Sequence, residues 1–324
     1  MTQQCITLDQ PQEWQKALEH IPHSFFHTWE YCRALSLTDG QDSFLYRFEH
    51  EDCRIVCPLH ERSFSGQLDL VTPYGFSGFT GTGYHPEFPE HWEKFVKSQK
   101  YICGYLGLNP ILEPAICFPE NNYYSHNATY VLDLSRDTMQ IYAGMSQNRR
   151  RQVRKGDQHL HLYEREQLIR FFLENYHDFM EQKQAAGVYR FSQETLRSML
   201  ASENMMIVGA GRPDRVEAVS LFAYTPYVAD FLFNVSIEEG RQHSVALIWH
   251  ALQQLRSLGI PWLNLGGGVR ENDSLAEFKA RFGATKQPLK ALKQIYDPTT
   301  YRQLCLQVQT DPEDMAGYFP AYRK

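Results

Sequence analysis

The stretch from Met205 to Leu265 constrains the fold more than any other part of the chain. Three runs rich in Val, Ile, Phe and Tyr follow one another, Met205–Ala210, Val216–Tyr224 and Val228–Ile237, a composition that suits strands. The next run changes period. Val245, Ile248, Trp249, Leu252 and Leu255 recur at helical spacing, and Gly259 is placed to end the helix. Trp262–Leu265 then reads as a short strand running into Gly266-Gly267-Gly268. Strands in succession, a helix and a further strand predict an α/β fold with a mixed central sheet.

The remaining segments extend this pattern in both directions. Pro11 to Ile21 reads as a short amphipathic helix with Trp14, Ala17, Leu18 and Ile21 on one face. Strands are expected at Ser43–Phe48, Arg54–Leu59 and Leu68–Val71, with Pro58 and Pro73 confining them to edges or ends. A helix over His91–Lys97 and a strand over Tyr101–Leu108 follow. The chain turns polar at Asn121–Asn127, where a boundary is placed. Beyond it come a strand at Tyr130–Leu134, a helix capped by Ser135 or Asp137 and running to about Asn148 with Met139, Tyr142 and Met145 on one side, and a strand near His159–Tyr163. Helices are expected over Glu166–Gln184 and after Ser192. Ser274 and Glu277 form a capping box for a short helix that Gly283 closes. Leu289–Tyr296 is a last strand, Asp297-Pro298 opens a final helix, and the tail after Thr310 reads as loose. The expected division is residues 1–127, residues 128–297, and a helix with tail at 298–324.

With 324 residues, 43% of them apolar, the chain can build two cores of ordinary size. Nothing approaches the ~18 consecutive apolar residues of a membrane span. Met1–Asp9 has neither a basic nor an apolar leader region, and seven cysteines without framework spacing suit a reducing compartment, so a cytoplasmic protein is expected. Net charge is -6, yet residues 1–127 carry 8 Lys/Arg against 16 Asp/Glu and residues 128–324 carry 24 against 22. That balance excludes a strongly basic nucleic-acid binder and leaves room for a local anion site in the second half. Gly75, Gly78, Gly81 and Gly83 lack dinucleotide-loop spacing, and Tyr84-His85-Pro86 follows where a helix should open. His20, His23 and His27 sit close in sequence, but Pro22 interrupts any common helical face, and no metal site is expected. No serine sits in a Gly-x-Ser-x-Gly elbow, so direct attack on an activated acyl donor suits the chain better than a covalent enzyme intermediate.

Three constellations carry chemistry. Glu239-Gly240-Arg241-Gln242-His243-Ser244-Val245-Ala246 joins a strand to a helix, a place where backbone N–H groups and the helix dipole favour an anion. Gly266, Gly267 and Gly268 permit close backbone approach to a ligand, and Phe278-Lys279-Ala280-Arg281-Phe282-Gly283 follows, with Phe278 and Phe282 turned inward and Lys279 on the neighbouring face. Asn148-Arg149-Arg150-Arg151-Gln152-Val153-Arg154-Lys155 holds five basic residues in seven; a helix end in solvent explains such a run, and phosphate binding is its functional reading.

The Arg241-x-x-Ser244-x-Ala246 pattern resembles the acyl-coenzyme A signature of GNAT acyltransferases, with Ser244 where glycine is usual. Taken in order with Asn148-Arg149-Arg150, Tyr189-Arg190-Phe191-Ser192, Leu265-Gly266-Gly267-Gly268, the Phe278-Lys279 motif and the loop Thr72-Pro73-Tyr74-Gly75-Phe76-Ser77-Gly78, the chain resembles the FemAB family. That resemblance implies two tandem GNAT-like domains, the first degenerate and the second catalytic. It implies transfer of an aminoacyl group from aminoacyl-tRNA to an amine of a cell-wall or polysaccharide precursor bearing phosphates, with the tRNA acceptor end as a partner and no tightly bound cofactor. The long helical arm of some members is absent from the pattern. Under this reading Arg149, Arg150 and Arg154 meet acceptor phosphates, and Asn234, Ser236, Asn264 and Phe278 line the substrate where the strands Val228–Ile237 and Trp262–Leu265 splay. Arg241, Ser244, Gly266, Gly267 and Gly268 hold the donor, and Lys279 stabilises developing negative charge. The alternatives are an acyl-coenzyme A-dependent N-acyltransferase acting on an amino sugar or peptide, and a non-catalytic protein that binds a glycan precursor.

Overall fold

The computed structural model describes residues 1–112, 116, 118–156, 163–270 and 272–324. It divides into two compact units, Met1–His126 with Leu289–Lys324, and Asn127–Pro288.

The first unit begins with β1 (Thr2–Thr7), α1 (Pro11–Leu18), α2 (Trp29–Asp39), β2 (Ser43–His50), β3 (Cys53–Phe64), β4 (Gln67–Val71), β5 (Thr80–Thr82), α3 (Phe88–Ser98) and β6 (Cys103–Gly107). Its sheet runs β1-β2-β3-β4-β6, antiparallel except for the parallel β4–β6 pair, with β5 added to β3. Period-two alternation distributes β2 between two cores. Phe44, Tyr46 and Phe48 pack with Phe88, Trp92, Phe95 and Val96 of α3, while Leu45 packs with Trp14, Ala17 and Leu18 of α1. The expected edge position of Pro58 does not hold, because β3 is paired on both sides. Pro58 falls between the stretch paired with β5, Arg54–Val56, and the stretch paired with β4, which starts at His60, so its missing N–H costs no ladder bond there.

In the second unit β7 (Tyr123–Asp133) leads to α4 (Thr138–Gly144), α5 (Gln147–Gly156), α6 (Arg165–Gln182) and α7 (Gln193–Leu200). Next come β8 (Met205–Arg212), β9 (Arg215–Tyr224), β10 (Ala229–Ser236), α8 (Ser244–Ser257), β11 (Trp262–Gly267) and α9 (Ser274–Ala280). The sheet order β7-β11-β10-β9-β8 contains one parallel pair, β10–β11, among antiparallel ones, so this sheet is mixed too. Val245, Ile248, Leu252 and Leu255 of α8 cover one face with Leu132, Phe222, Leu263 and Leu265. Phe172 and Tyr176 of α6 meet Phe233 on the other.

Several local readings need correction. The helix expected to reach Asn148 is two helices, because Met145 is extended (ψ 151°) and the Ser146 hydroxyl caps the second by accepting from Arg149 N at 3.3 Å. Ile141 and Met145 face inward, whereas Met139 is exposed. The cap of α9 is Asp273, whose side chain accepts from Ala276 N, and not Ser274. Residues 159–162 of the expected strand near His159–Tyr163 lie outside the described residues.

The chain then returns to the first unit through β12 (Thr285–Ile295) and α10 (Pro298–Gln307). Residues 289–297 had been assigned by sequence to the second domain. They belong with the first because β12 pairs with β6 and places Leu292 in the aromatic core, where Gln294 accepts from Trp92 Nε1 at 2.9 Å. The tail is not loose. Phe319, Ala321 and Tyr322 are buried with Tyr301 and Leu304 of α10, and Tyr322 and Arg323 both donate to Asp69 Oδ2 at 2.8 Å.

Candidate active site

Strands β10 and β11 pair in parallel only at Ala229–Leu263 and Asp230–Asn264. Past that point β10 carries a bulge between Phe231 and Phe233, and Gly266 takes a left-handed φ of 74°. Leu263 and Leu265 point into the α8 core, so alternation sends Asn264 to the opposite face. There Asn264 is buried and donates from Nδ2 to Asp230 Oδ1 at 2.9 Å, while its Oδ1 accepts from the Thr129 hydroxyl and from Gly266 N at 2.9 Å. Asp230 Oδ2 is buried with no hydrogen-bond partner among the described residues. Burial pushes the Asp230 carboxyl up to about 7, against the opposing pull of the Asn264 hydrogen bond. Sequence reasoning missed Asp230. The available signal was a lone carboxylate in the apolar run Val228–Ile237, flanked by Ala229 and Phe231, since such a group is rarely buried without a reason.

Lys279 reaches the end of the same strand. It is buried, and its Nζ donates to Gly267 O at 2.5 Å. A Cβ on Gly266 would stand 3.1 Å from that Nζ, and one on Gly267 would clash with Ala128 O at 2.5 Å. Burial draws the ammonium down to about 8, with Asp273 pulling the other way. Gly268 is part of the loop that Asp273 gathers: the carboxylate accepts from Val269 N, Arg270 N and Ala276 N at 2.7 to 2.9 Å, and Gly268 O accepts from Asn127 Nδ2 at 3.0 Å. The N-terminus of α9 is thereby occupied by the protein's own carboxylate.

The other expected site residues separate into distinct environments. Asn234 accepts from the Ser220 hydroxyl at 2.9 Å across the β9–β10 pair, and Ser236 is half-buried at the end of β10. Arg149 is a packing residue. Its guanidinium lies 4.3 Å from the Phe278 ring centroid and 4.6 Å from that of Phe282, and it donates to Phe278 O at 2.9 Å. Burial, with Arg281 nearby, lowers it to about 10. Arg150 donates to Ala143 O at 2.9 Å, and Arg154 is exposed. The basic run therefore fills α5 from end to end: Arg149–Arg151 lie near its start, where charge opposes the dipole, and Arg154 and Lys155 lie in its last turn, where charge suits it.

Arg241 is exposed, but the turn around it differs from the expected open cradle. Glu239–His243 is a 3-10 helix running straight into α8. Gly240 N and Arg241 N donate to Ile237 O and Glu238 O, and the Ser244 hydroxyl donates to Arg241 O at 3.2 Å. His243 is buried against Glu217 at 3.1 Å, which fixes the turn. These donors are spent within the chain.

No family model matches the chain, and no curated protein matches it in sequence. Its fold does have solved counterparts. It is similar to the crystal structure of FemX, with a TM-score of 0.69, 10% identity and coverage of 94% of this chain and 99% of that one. It is similar to the C-terminal DUF2156 domain of a candidate lysylphosphatidylglycerol synthetase from Agrobacterium fabrum, with a TM-score of 0.55, 13% identity and coverage of 92% and 96%. For L-PGS from Bacillus licheniformis the values are 0.53, 12%, 90% and 94%. The chain thus has a FemX-like fold, as the sequence resemblance implied.

Proposed function

We propose that the chain is an acyltransferase that moves an aminoacyl group from aminoacyl-tRNA to an amine of a phosphate-bearing cell-wall or polysaccharide precursor. One observation carries the reading. Asp230, through Asn264, and Lys279, through Gly267, are tied to one short strand end, where β10 stops pairing with β11. A carboxyl near 7 and an ammonium near 8 suit amide formation by direct attack. As the amine nitrogen bonds to the acyl carbon, Asp230 can take the amine's proton and Lys279 can stabilise the charged acyl oxygen; the ester C–O bond then breaks and the tRNA leaves as its terminal hydroxyl, taking that proton. The FemX-like fold supports the class. A lysylphosphatidylglycerol synthetase, by its name, joins a lysyl group to phosphatidylglycerol, which favours an aminoacyl donor. The closed 3-10 turn at Glu239–His243 weighs against coenzyme A, whose pyrophosphate needs free N–H groups there.

The test offers labelled aminoacyl-tRNAs and labelled acetyl-coenzyme A separately, with nucleotide- and lipid-linked aminosugar precursors as acceptors. Transfer of label from tRNA is expected. Transfer from acetyl-coenzyme A alone would replace this reading with a coenzyme A-dependent N-acyltransferase. Precursor binding without transfer from either donor would make the chain a binding protein.

A further inference from the structure

A second cluster lies in the first unit, in none of the elements discussed as the site. His85 is in the turn after β5, Glu87 immediately precedes α3, and His91 is in the first turn of α3. The local sequence forces them together. Phe88 N donates to His85 O at 3.1 Å, closing the turn, and His91 N donates to Glu87 O at 3.2 Å, which sets Glu87 and His91 one helical turn apart on the same face. One ligand-type atom from each of the three residues lies within 4.8 Å of the other two. The His85 and His91 rings stack with centroids 5.2 Å apart, and the His50 ring of β2 lies tilted against His85 at 4.5 Å. Phe48 backs both His85 and His91 at 5.4 and 5.5 Å. His85 Nε2 is buried with no hydrogen-bond partner among the described residues. Buried polar nitrogens are nearly always paired, so one left open beside a second imidazole and a carboxylate is placed as a ligand would be.

We propose that His85, Glu87 and His91 form a binding site for a divalent transition-metal ion of the zinc class. Two imidazole nitrogens and one carboxylate oxygen are the donors Zn²⁺ prefers, whereas Mg²⁺ and Ca²⁺ take all-oxygen shells. Tetrahedral bonds of ~2.0–2.2 Å set ligand atoms about 3.3 Å apart. Closing from within 4.8 Å requires only side-chain rotation, which the exposed position of Glu87 permits. Water or His50 completes the shell. The bound ion links the turn after β5 to the start of α3. The histidines sequence reasoning weighed for this role, His20, His23 and His27, are elsewhere; His27 is buried against Ser24 and Gly78 O.

Chelator-treated full-length protein is titrated calorimetrically with zinc chloride at about pH 7.5, where free imidazole is neutral. Parallel samples take cobalt and are read by visible absorption. One zinc ion per chain with micromolar or tighter affinity is expected, together with the intense cobalt bands of a tetrahedral N/O site and no competition from magnesium. The double variant His85→Gln/His91→Gln is expected to bind zinc at least ~100-fold more weakly, and Glu87→Gln about 10-fold more weakly. Glu87 is exposed and glutamine is isosteric, so the single variant decides the matter even where the double one fails to fold. Equal zinc affinity in wild type and Glu87→Gln, or a cobalt spectrum unchanged by that substitution, overturns the proposal.

Discussion

Replacing Lys279 by methionine retains most of the packing and removes the charge, and the structure predicts opposite effects on stability and activity. The ammonium falls from an ordinary 10.5 to about 8 because it is buried. That difference corresponds to about 3 kcal/mol against the charged form in the folded state at neutral pH. Methionine removes this cost and leaves Gly267 O without its donor, a loss of about 1–3 kcal/mol. At pH 7 the variant should therefore match the parent or exceed it by up to about 2 kcal/mol. The sign of the pH dependence follows from the depressed folded-state value. Below pH 8 the lysine is charged in both states and the full cost applies; between 8 and 10.5 the folded protein alone has lost its proton, and wild-type stability rises with pH. Above 10.5 the cost is gone. Urea unfolding of both proteins at pH 7 and near pH 10 reads the difference, since titrations they share cancel. The variant's advantage should shrink by roughly 2–3 kcal/mol over that interval, while aminoacyl transfer falls ~10²–10³-fold below pH 8, where the wild-type ammonium is charged, and by less above it. A variant less stable than wild type by a pH-independent margin refutes the reasoning, because Lys279 would then be an ordinary packed side chain.

Asp230→Asn should behave in the mirrored sense. Its carboxyl is raised from 3.8 to about 7, so the stability it permits is full below the ordinary value and lost as pH rises through 7; the variant should equal wild type near pH 4, exceed it at pH 8 in a urea titration, and lose ~10²-fold or more in transfer. Arg149→Ala should cost ~2–4 kcal/mol in unfolding free energy through the lost packing on Phe278 and Phe282, with acceptor affinity per folded molecule unchanged. Arg150→Gln/Arg154→Gln should instead leave stability within ~0.5 kcal/mol and flatten the salt dependence of acceptor binding measured by calorimetry.

Short-range features of the fold were legible because period reports environment directly. Val245, Ile248, Leu252 and Leu255 recur every three or four residues and face one core, and Gly259 ends their helix with a left-handed φ of 79°. What the sequence did not show depends on partners distant along the chain. Asp69 gives no sign in its strand that, besides its cross-strand partner Arg62, Tyr322 and Arg323, more than 250 residues away, will donate to it, so the tail reads as loose. The return of β12 to the first unit depends on its register with β6, which no local pattern encodes. The break between α4 and α5 rests on one serine hydroxyl in a stretch without proline.

The basic run shows how the same limit bears on function. Five cations in seven residues look interchangeable in sequence, and a phosphate reading treats them alike. In the folded chain they are not alike, because α9 is docked against the start of α5. Phe278 and Phe282 stand four residues apart on one face of their turn, and that spacing makes a two-ring clamp of the width of one guanidinium. Arg149 is the member of the run that α5 turns toward this clamp. Once its charge is held between two rings and a carbonyl, it has little left to offer a phosphate. The exposed Arg154 and the half-buried Arg150 keep their charge near solvent. The resemblance motif Phe278-Lys279 therefore does two things at once. Its aromatic residue fixes α5 in place, and the next residue, turned by one helical step, delivers an ammonium to Gly267 at the strand end that also holds Asp230. A substitution at Phe278 should consequently disturb Arg149 and Lys279 together, and unfolding and transfer measured on Phe278→Ala should both suffer, whereas Arg149→Ala should affect unfolding far more than transfer.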